Sequence, residues 1–285
     1  MTRKRKLLTS ILLAVFALTL FIPVSFAKED EILKVQLGTR DLTKEQIDEL
    51  VKDPEKLKLR SKMDTEYLLS ETEKEMNKAS AEYAKQLKKP VKDEVSALAG
   101  SDIYIGTDTN YYTSDTGNKG SSADLISGAS SRWGSWYSDA YSWTAGIGSA
   151  SSWANNSKQI NVKGSGSRNA YIRFRGNYSG WTVPGFTGGT AAARIRVSIY
   201  DLTANSEIGG NTVRDVSDSV NWGSTFTQVA FNNSVLVSLQ AGHNYLLRYG
   251  VSTSTSNYGP QMCQSDFYHD TNHGIYQDYV TVDWQ

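Results

Sequence analysis

The chain has 285 residues, with 30 Lys and Arg against 30 Asp and Glu, and 39% of its residues are hydrophobic. Its length is sufficient for a large hydrophobic core. Residues 28–98 hold 15 basic and 17 acidic side chains, and residues 99–285 hold 11 and 13, so both regions are slightly acidic. That balance argues against a nucleic-acid partner. Because Cys263 is the sole cysteine, an intrachain disulfide is excluded.

Residues 1–27 have the pattern of a bacterial-type secretory signal. A basic start at residues 3–6 precedes an apolar stretch over residues 7–24, and Ser25-Phe26-Ala27 supplies small residues at a cleavage site. An uncleaved membrane anchor is the alternative, because 18 apolar residues could just cross a bilayer. We expect cleavage after Ala27 and no membrane span afterwards. The mature protein is then secreted, and is extracellular or associated with the cell envelope.

Residues 28–98 form a charged segment whose pattern predicts a helical arm. Thr43 to Gln46 fits a capping box, and Pro54 ends the short helix that follows. A second helix is expected from near Asp64 to before Pro90, with a narrow apolar stripe at Leu69, Thr72, Met76, Ala79, Tyr83 and Leu87. Such helices cannot form a core alone. The arm therefore packs on another part of the protein, self-associates through residues 64–89, stays partly mobile, or is removed as a pro-region.

From residue 99 onward hydrophobic residues recur at every second position, which predicts strands. In the segment Ala193–Tyr200 apolar and polar residues alternate, with Ile195, Val197 and Ile199 on one face. In the closing segment Val280 and Val282 share the inward face of the last strand. Eight or nine such strands with one buried face indicate an antiparallel sandwich rather than a parallel sheet. We therefore predict a mainly β fold: an antiparallel, jelly-roll-like β-sandwich over residues 99–285, preceded by the signal peptide and the charged α-helical arm.

Three segments of this region resemble one class of module. They are Asn169–Arg175, Leu239–Tyr245 with its Leu-x-Ala-Gly-x-x-Tyr turn, and the closing strand Tyr276–Val282. On these segments, residues 100–285 resemble secreted jelly-roll β-sandwich modules of the carbohydrate-binding type. The resemblance implies the fold more than the activity, because such folds carry many functions. It assigns no ligand-contacting residue.

The densest aromatic stretch runs from residue 132 to residue 143 and is followed by one more tryptophan. Flat aromatic rings suit sugar recognition, because the C–H face of a pyranose packs on the π-face of a ring. The alternative is that these rings fill the core, and their solvent exposure distinguishes the two cases. The candidate ligand-binding residues are Trp133, Trp136, Tyr137, Tyr141, Trp143 and Trp153.

Other groups of residues give weaker evidence for a metal site or a catalytic site. Asp266, His269, Asp270 and His273 could offer metal ligands, but their spacing matches no established metal motif. Turns around residues 107–118 could bind a structural calcium, although ordinary turn chemistry explains them. We expect no other cofactor. Residues 99–285 contain one glutamate, Glu207, which excludes a paired-Glu glycosidase there and leaves an Asp pair open.

The sequence thus predicts a secreted, non-catalytic binding module whose partner is a polysaccharide or a cell-envelope glycan. One alternative is a structural or partner-binding extracellular protein that self-associates through its helical arm. A second alternative is a metal-dependent hydrolase that uses the His269 and His273 loop. No catalytic residue is assigned.

Overall fold

The computed structural model describes residues 35–37, 40–42, 44–87, 100–124, 126–185, 188–219, 222–268 and 273–285. All of them belong to one compact unit, Lys34–Gln285. The signal peptide predicted at residues 1–27 lies outside the described residues. Within the described ranges, neither helix is both long and apolar enough to cross a membrane.

Two helices lie at the start of the described chain, α1 (Lys44–Val51) and α2 (Pro54–Leu87). The second helix begins ten residues before the position expected from the apolar stripe. Pro54 takes the first helical position, where its missing N–H costs nothing. The Asp53 carboxylate accepts hydrogen bonds from the N–H groups of Glu55 at 3.1 Å and Lys56 at 3.2 Å. These two features start a helix that the apolar pattern alone does not mark.

The strands follow the alternating segments of the sequence. A short hairpin precedes α1, and all other strands follow α2. In chain order they are β1 (Val35–Leu37), β2 (Arg40–Leu42), β3 (Ser101–Tyr104), β4 (Thr109–Tyr111), β5 (Thr116–Ala123), β6 (Ser127–Gly134), β7 (Tyr137–Ala145), β8 (Gly148–Lys163), β9 (Ser167–Val183), β10 (Gly189–Asp201), β11 (Ser206–Asp218), β12 (Ser224–Gln240), β13 (Asn244–Asn257), β14 (Met262–Phe267) and β15 (Gly274–Trp284).

Strands β3 to β15 form two sheets. The six-stranded sheet has the order β11-β10-β13-β8-β3, with β5 also paired to β8. The seven-stranded sheet has the order β12-β9-β14-β7-β15-β4, with β6 paired to β7 and an extra pairing of β9 with β15. Their pairings are antiparallel except for β3 with β8, which is parallel. The predicted mainly β, antiparallel sandwich is confirmed.

The apolar core lies between the two sheets. Ile195, Val197 and Ile199 share the inward face of β10, as their alternation predicts, and each is at most 1% exposed. They pack in one cluster with Phe174 and Tyr249, whose rings meet edge to face at 5.1 Å. Burying such side chains contributes about 1.5–3 kcal/mol each and holds the sheets together.

Helix α2 packs along the outer face of the six-stranded sheet. Ser61 donates a hydrogen bond to the Ser256 carbonyl at 2.6 Å, and Ser254 donates one to the Thr65 carbonyl at 3.0 Å. Near the other end of the helix, Arg248 donates to the Ser80 hydroxyl at 3.0 Å. Leu69 and Thr72 of the predicted apolar stripe are buried, and Tyr83 packs against a cluster of the sheet, so the stripe faces the sheet of its own chain. The division of the chain into residues 28–98 and 99–285, and removal of the first part as a pro-region, stay predictions.

Candidate binding site

The outer face of the seven-stranded sheet carries large aromatic rings at neighbouring positions. In β7 the side chains of Ser138, Ala140, Ser142 and Thr144 are fully buried, so the alternate residues Tyr137, Asp139, Tyr141 and Trp143 point to the outer side of the sheet. Neighbouring strands add further rings on this side. We call this surface the aromatic face and define it by Trp136, Tyr137, Tyr141, Trp143, Trp181, Tyr268, Tyr276 and Tyr279.

The most exposed ring of the aromatic face lies in the tight turn between β6 and β7. Trp136 is 55% exposed. Its ring lies 5.6 Å from Tyr137 in an edge arrangement and 5.9 Å from Tyr276 in a tilted one. Tyr137 and Tyr276 are 6.5 Å apart. The indole therefore contacts two rings and still exposes about half of its surface to solvent.

A guanidinium group lies among these rings. The Arg132 guanidinium carbon is 5.5 Å from the centre of the Tyr137 ring and 4.8 Å from that of Tyr268, within the range of cation–π attraction. Arg132 also donates to Asp139 at 2.5 Å and to the Tyr268 carbonyl at 3.3 Å. The face therefore combines apolar ring surface with a fixed hydrogen-bond donor.

The carboxylate that holds Arg132 is fully buried. Burial raises the pKa of Asp139 to about 7, against the opposing effect of Arg132 and with a smaller contribution from Asp266. One oxygen of Asp139, Oδ1, accepts no hydrogen bond from any described residue. Asp139 and Asp266 are two buried carboxylates on neighbouring strands.

Four of the six predicted site residues come together on the aromatic face: Trp136, Tyr137, Tyr141 and Trp143. Trp133 is 36% exposed and turns the other way, toward the edge between the sheets. A Cβ atom at Gly117 would lie 2.4 Å from the Trp133 ring, so this ring occupies space that only a glycine leaves open. Trp133 thus does not extend the platform of rings.

Trp153 belongs to the other sheet. It is 6% exposed, and its indole lies over Gly120, where an added Cβ would be 2.6 Å from Nε1. The ring lies in a groove of about 690 Å³ between α2 and β5. Including Trp153 in an exposed platform is therefore incorrect, because α2 covers this side of the sheet.

Some residues of the aromatic face had no role in the sequence prediction. Trp181, Tyr268 and Tyr276 come from strands far apart in the sequence, and only strand pairing places them beside β7. Arg132 and Asp139 lie within the aromatic stretch. Their opposite charges, seven residues apart in a hairpin, are the sequence feature that could have predicted their ion pair.

The metal alternative depends partly on residues outside the described ranges, since His269 and Asp270 lie there. Nδ1 of His273 is 3.6 Å from Asp266. Within the described ranges, no three or more His, Cys, Asp or Glu side chains are grouped so as to hold a metal ion. Burial raises the pKa of Cys263 to about 12, so its thiol is protonated at neutral pH. Asp115, in the turns considered for calcium, accepts hydrogen bonds from Lys158 and from the Gln159 N–H.

No protein-family model matches the sequence, and no curated protein matches it. The chain is similar in structure to a Bacillus thuringiensis Cry1Da tryptic core variant, at 11% identity and a TM-score of 0.23 over 65% of this chain and 25% of the other. It is also similar to an isomalto-dextranase of Arthrobacter globiformis T6 complexed with panose, at 16% identity and a TM-score of 0.22 over 62% and 23%.

A third similar structure is TmCBM61 in complex with β-1,4-galactotriose, at 15% identity and a TM-score of 0.22 over 58% of this chain and 88% of the other. Carbohydrate-binding modules are thus among the similar structures. The chain spans about a quarter of the length of the first two structures. At TM-scores this low the similarities do not bear on function.

Proposed function

We propose that this protein is a secreted, non-catalytic glycan-binding protein that binds polysaccharide on the aromatic face. The observation that carries the proposal is the group formed by Trp136, Tyr137 and Tyr276, with ring centres at most 6.5 Å apart on an open sheet surface. Contiguous groups of exposed apolar side chains mark interaction sites on protein surfaces. Secretion rests on the signal pattern of residues 1–27.

The size and spacing of these rings suit sugar units. Packing a pyranose against an indole buries the apolar C–H groups of the sugar and does not require polar atoms of the protein to be buried. Polar side chains that fix orientation lie beside the rings, namely Arg132 and Gln264, the latter in register with Trp143. Self-association through residues 64–89 has less support, because the stripe on α2 faces the sheet of its own chain.

The test is retention of the mature chain on a panel of insoluble and soluble polysaccharides, with Trp136→Ala as the variant. We expect at least one polymer to bind and the variant to lose about tenfold to hundredfold in affinity, because it removes the burial of one large side chain. Trp222→Ala is a matched control, since Trp222 is 86% exposed and is not one of the residues of the aromatic face. Absence of binding to every polymer, or equal loss in both variants, would refute the proposal.

A further inference from the structure

One guanidinium beside the aromatic face, that of Arg175, takes part in no ion pair with the described residues. Arg132 is paired with Asp139, and the neighbouring Arg173 is paired with Asp283 at 2.6 Å. Arg175 is exposed, and its guanidinium carbon lies 5.3 Å from the centre of the Tyr279 ring. Among the described side chains, none forms an ion pair with Arg175, and this includes the exposed Asp278 next to Tyr279. An exposed, stacked guanidinium has its donors available to a ligand.

An irregularity in β15 brings Tyr279 to this position. Tyr276 pairs with Asn177 and Tyr279 pairs with Arg175, so two residues lie between the tyrosines on β15 while one lies between their partners on β9. In a regular strand, residues three apart point to opposite faces. The extra residue, Asp278, makes a β-bulge and lets both tyrosines point outward. Bulges of this kind re-aim side chains and are common next to functional sites.

Buried groups hold the bulge in place. The Tyr249 hydroxyl is 2.7 Å from the carbonyl of Tyr279 and 3.2 Å from that of Arg175, and so it ties the two strands together beneath the pair. Burial raises the pKa of Tyr249 well above its ordinary value, so the hydroxyl keeps its proton and remains a donor. At Gly176 a Cβ would lie 2.0 Å from the Tyr276 carbonyl, so glycine permits this close approach of the strands.

We propose that Arg175 and Tyr279 form a subsite for a sugar that carries a carboxylate, so that the polysaccharide bound is a uronate polymer. This inference rests on the proposed function. The planar guanidinium can hold a carboxylate through two parallel hydrogen bonds, a geometry that a neutral sugar cannot use. The Tyr279 ring lies beside it to pack against the sugar ring. Asn232, in register with Arg175 on the other side, and Asn177 offer amide groups near the same position.

The test compares uronate polysaccharides, such as polygalacturonate and alginate, with the same polymers after chemical reduction of their carboxyl groups. We expect the mature chain to bind at least one uronate polymer about tenfold or more tightly than its reduced form, because charge-assisted hydrogen bonds are lost. Arg175→Gln should abolish this preference, so that the native and the reduced polymer bind the variant with equal affinity. Arg214→Gln is the matched control: Arg214 is also exposed and stacked, over Phe226 at 4.9 Å, but lies on β11.

The outcomes separate this inference from the proposed function. Equal binding of native and reduced polymers, or a preference that persists in Arg175→Gln, would overturn the carboxylate subsite and leave glycan binding intact. Binding of no polymer at all would overturn both. Loss of the preference in both arginine variants would indicate long-range charge rather than a subsite, and would also overturn the inference.

Discussion

The two outer faces of the sandwich contrast in an unexpected way. The outer face of the six-stranded sheet includes many small polar residues, yet α2 covers part of it: Ser252, Ser254 and Ser256 are at most 1% exposed. The outer face of the seven-stranded sheet carries large aromatic rings, yet it is open. Hydrogen bonds such as that from Ser254 to the Thr65 carbonyl hold α2 on the polar face, whereas no helix or strand of the described residues packs on the aromatic face. Residue polarity alone therefore does not tell which face is buried.

The covered face also holds buried charges. Arg248 is 3% exposed and donates to the carboxylate of Glu207 and to the hydroxyls of Ser198 and Ser80. Burial lowers the pKa of Arg248 to about 10, so the group remains positively charged at neutral pH. Glu207 also accepts from Arg196. One carboxylate thus compensates two guanidinium groups next to α2.

The largest expected effect comes from breaking this network. Glu207→Gln leaves Arg248 buried without its counter-charge, and we expect a loss of about 4 kcal/mol in the free energy of unfolding. Chemical denaturation measures it. Glu75→Gln on α2 is the control, because the exposed pair of Glu75 with Lys78 at 3.8 Å contributes little. Similar stability in both variants would show that the covered face does not depend on its charges.

A pair of tryptophan variants sharpens the comparison of the faces. Trp153→Ala on the covered side should lower the free energy of unfolding by about 3 kcal/mol, because it opens a cavity beside Gly120. Trp136→Ala on the open side should change it by no more than about 0.5 kcal/mol. Thermal unfolding of both variants decides the point. Equal losses would mean that Trp136 also serves the packing of the fold.

The sequence predicts the strands well, because one-sided burial produces alternation in β10 and β15. It leaves the facing of β7 open, because the alternation of Tyr137, Tyr141 and Trp143 with small residues fits rings in the core as well as rings on the surface. In the structure the serine and threonine side chains of β7 lie inside and the rings lie outside. Thr144 and Thr255 share a hydrogen bond at 2.8 Å across the interior. Hydrogen bonds between polar side chains of two sheets cannot be predicted from the sequence of either strand alone.

The candidate site is predictable only where its residues are close together in the sequence. Trp136, Tyr137, Tyr141 and Trp143 are close in sequence, so a local aromatic cluster identifies them. Tyr276 and Tyr279 join them only through pairing between distant strands and through the bulge at Asp278. A bulge depends on the partner strand and on Gly176, and periodicity within β15 does not reveal it.

A pH dependence of stability is expected from Asp139, the buried carboxylate beneath Arg132. The pKa of Asp139 is about 7 in the folded protein against an ordinary value of 3.8, so the folded state binds this proton more tightly than the unfolded state does. Between about pH 4 and pH 7, the free energy of unfolding should therefore fall as the pH rises, by at most about 1.4 kcal/mol per pH unit for this group. Above that window Asp139 causes no further change.

Asp139→Asn removes this dependence, because the amide is neutral throughout. The groups that face Asp139 are Arg132 on β6, which favours its charged form, and Asp266 on β14, which opposes it; both remain in the variant. The variant minus wild-type difference in unfolding free energy should rise up to about pH 7 and then level off, in denaturant titrations across this range. A difference that falls with pH would mean that Arg132 outweighs the cost of burial. The open face would then be held by a strong ion pair, and its contrast with the charged, covered face would disappear.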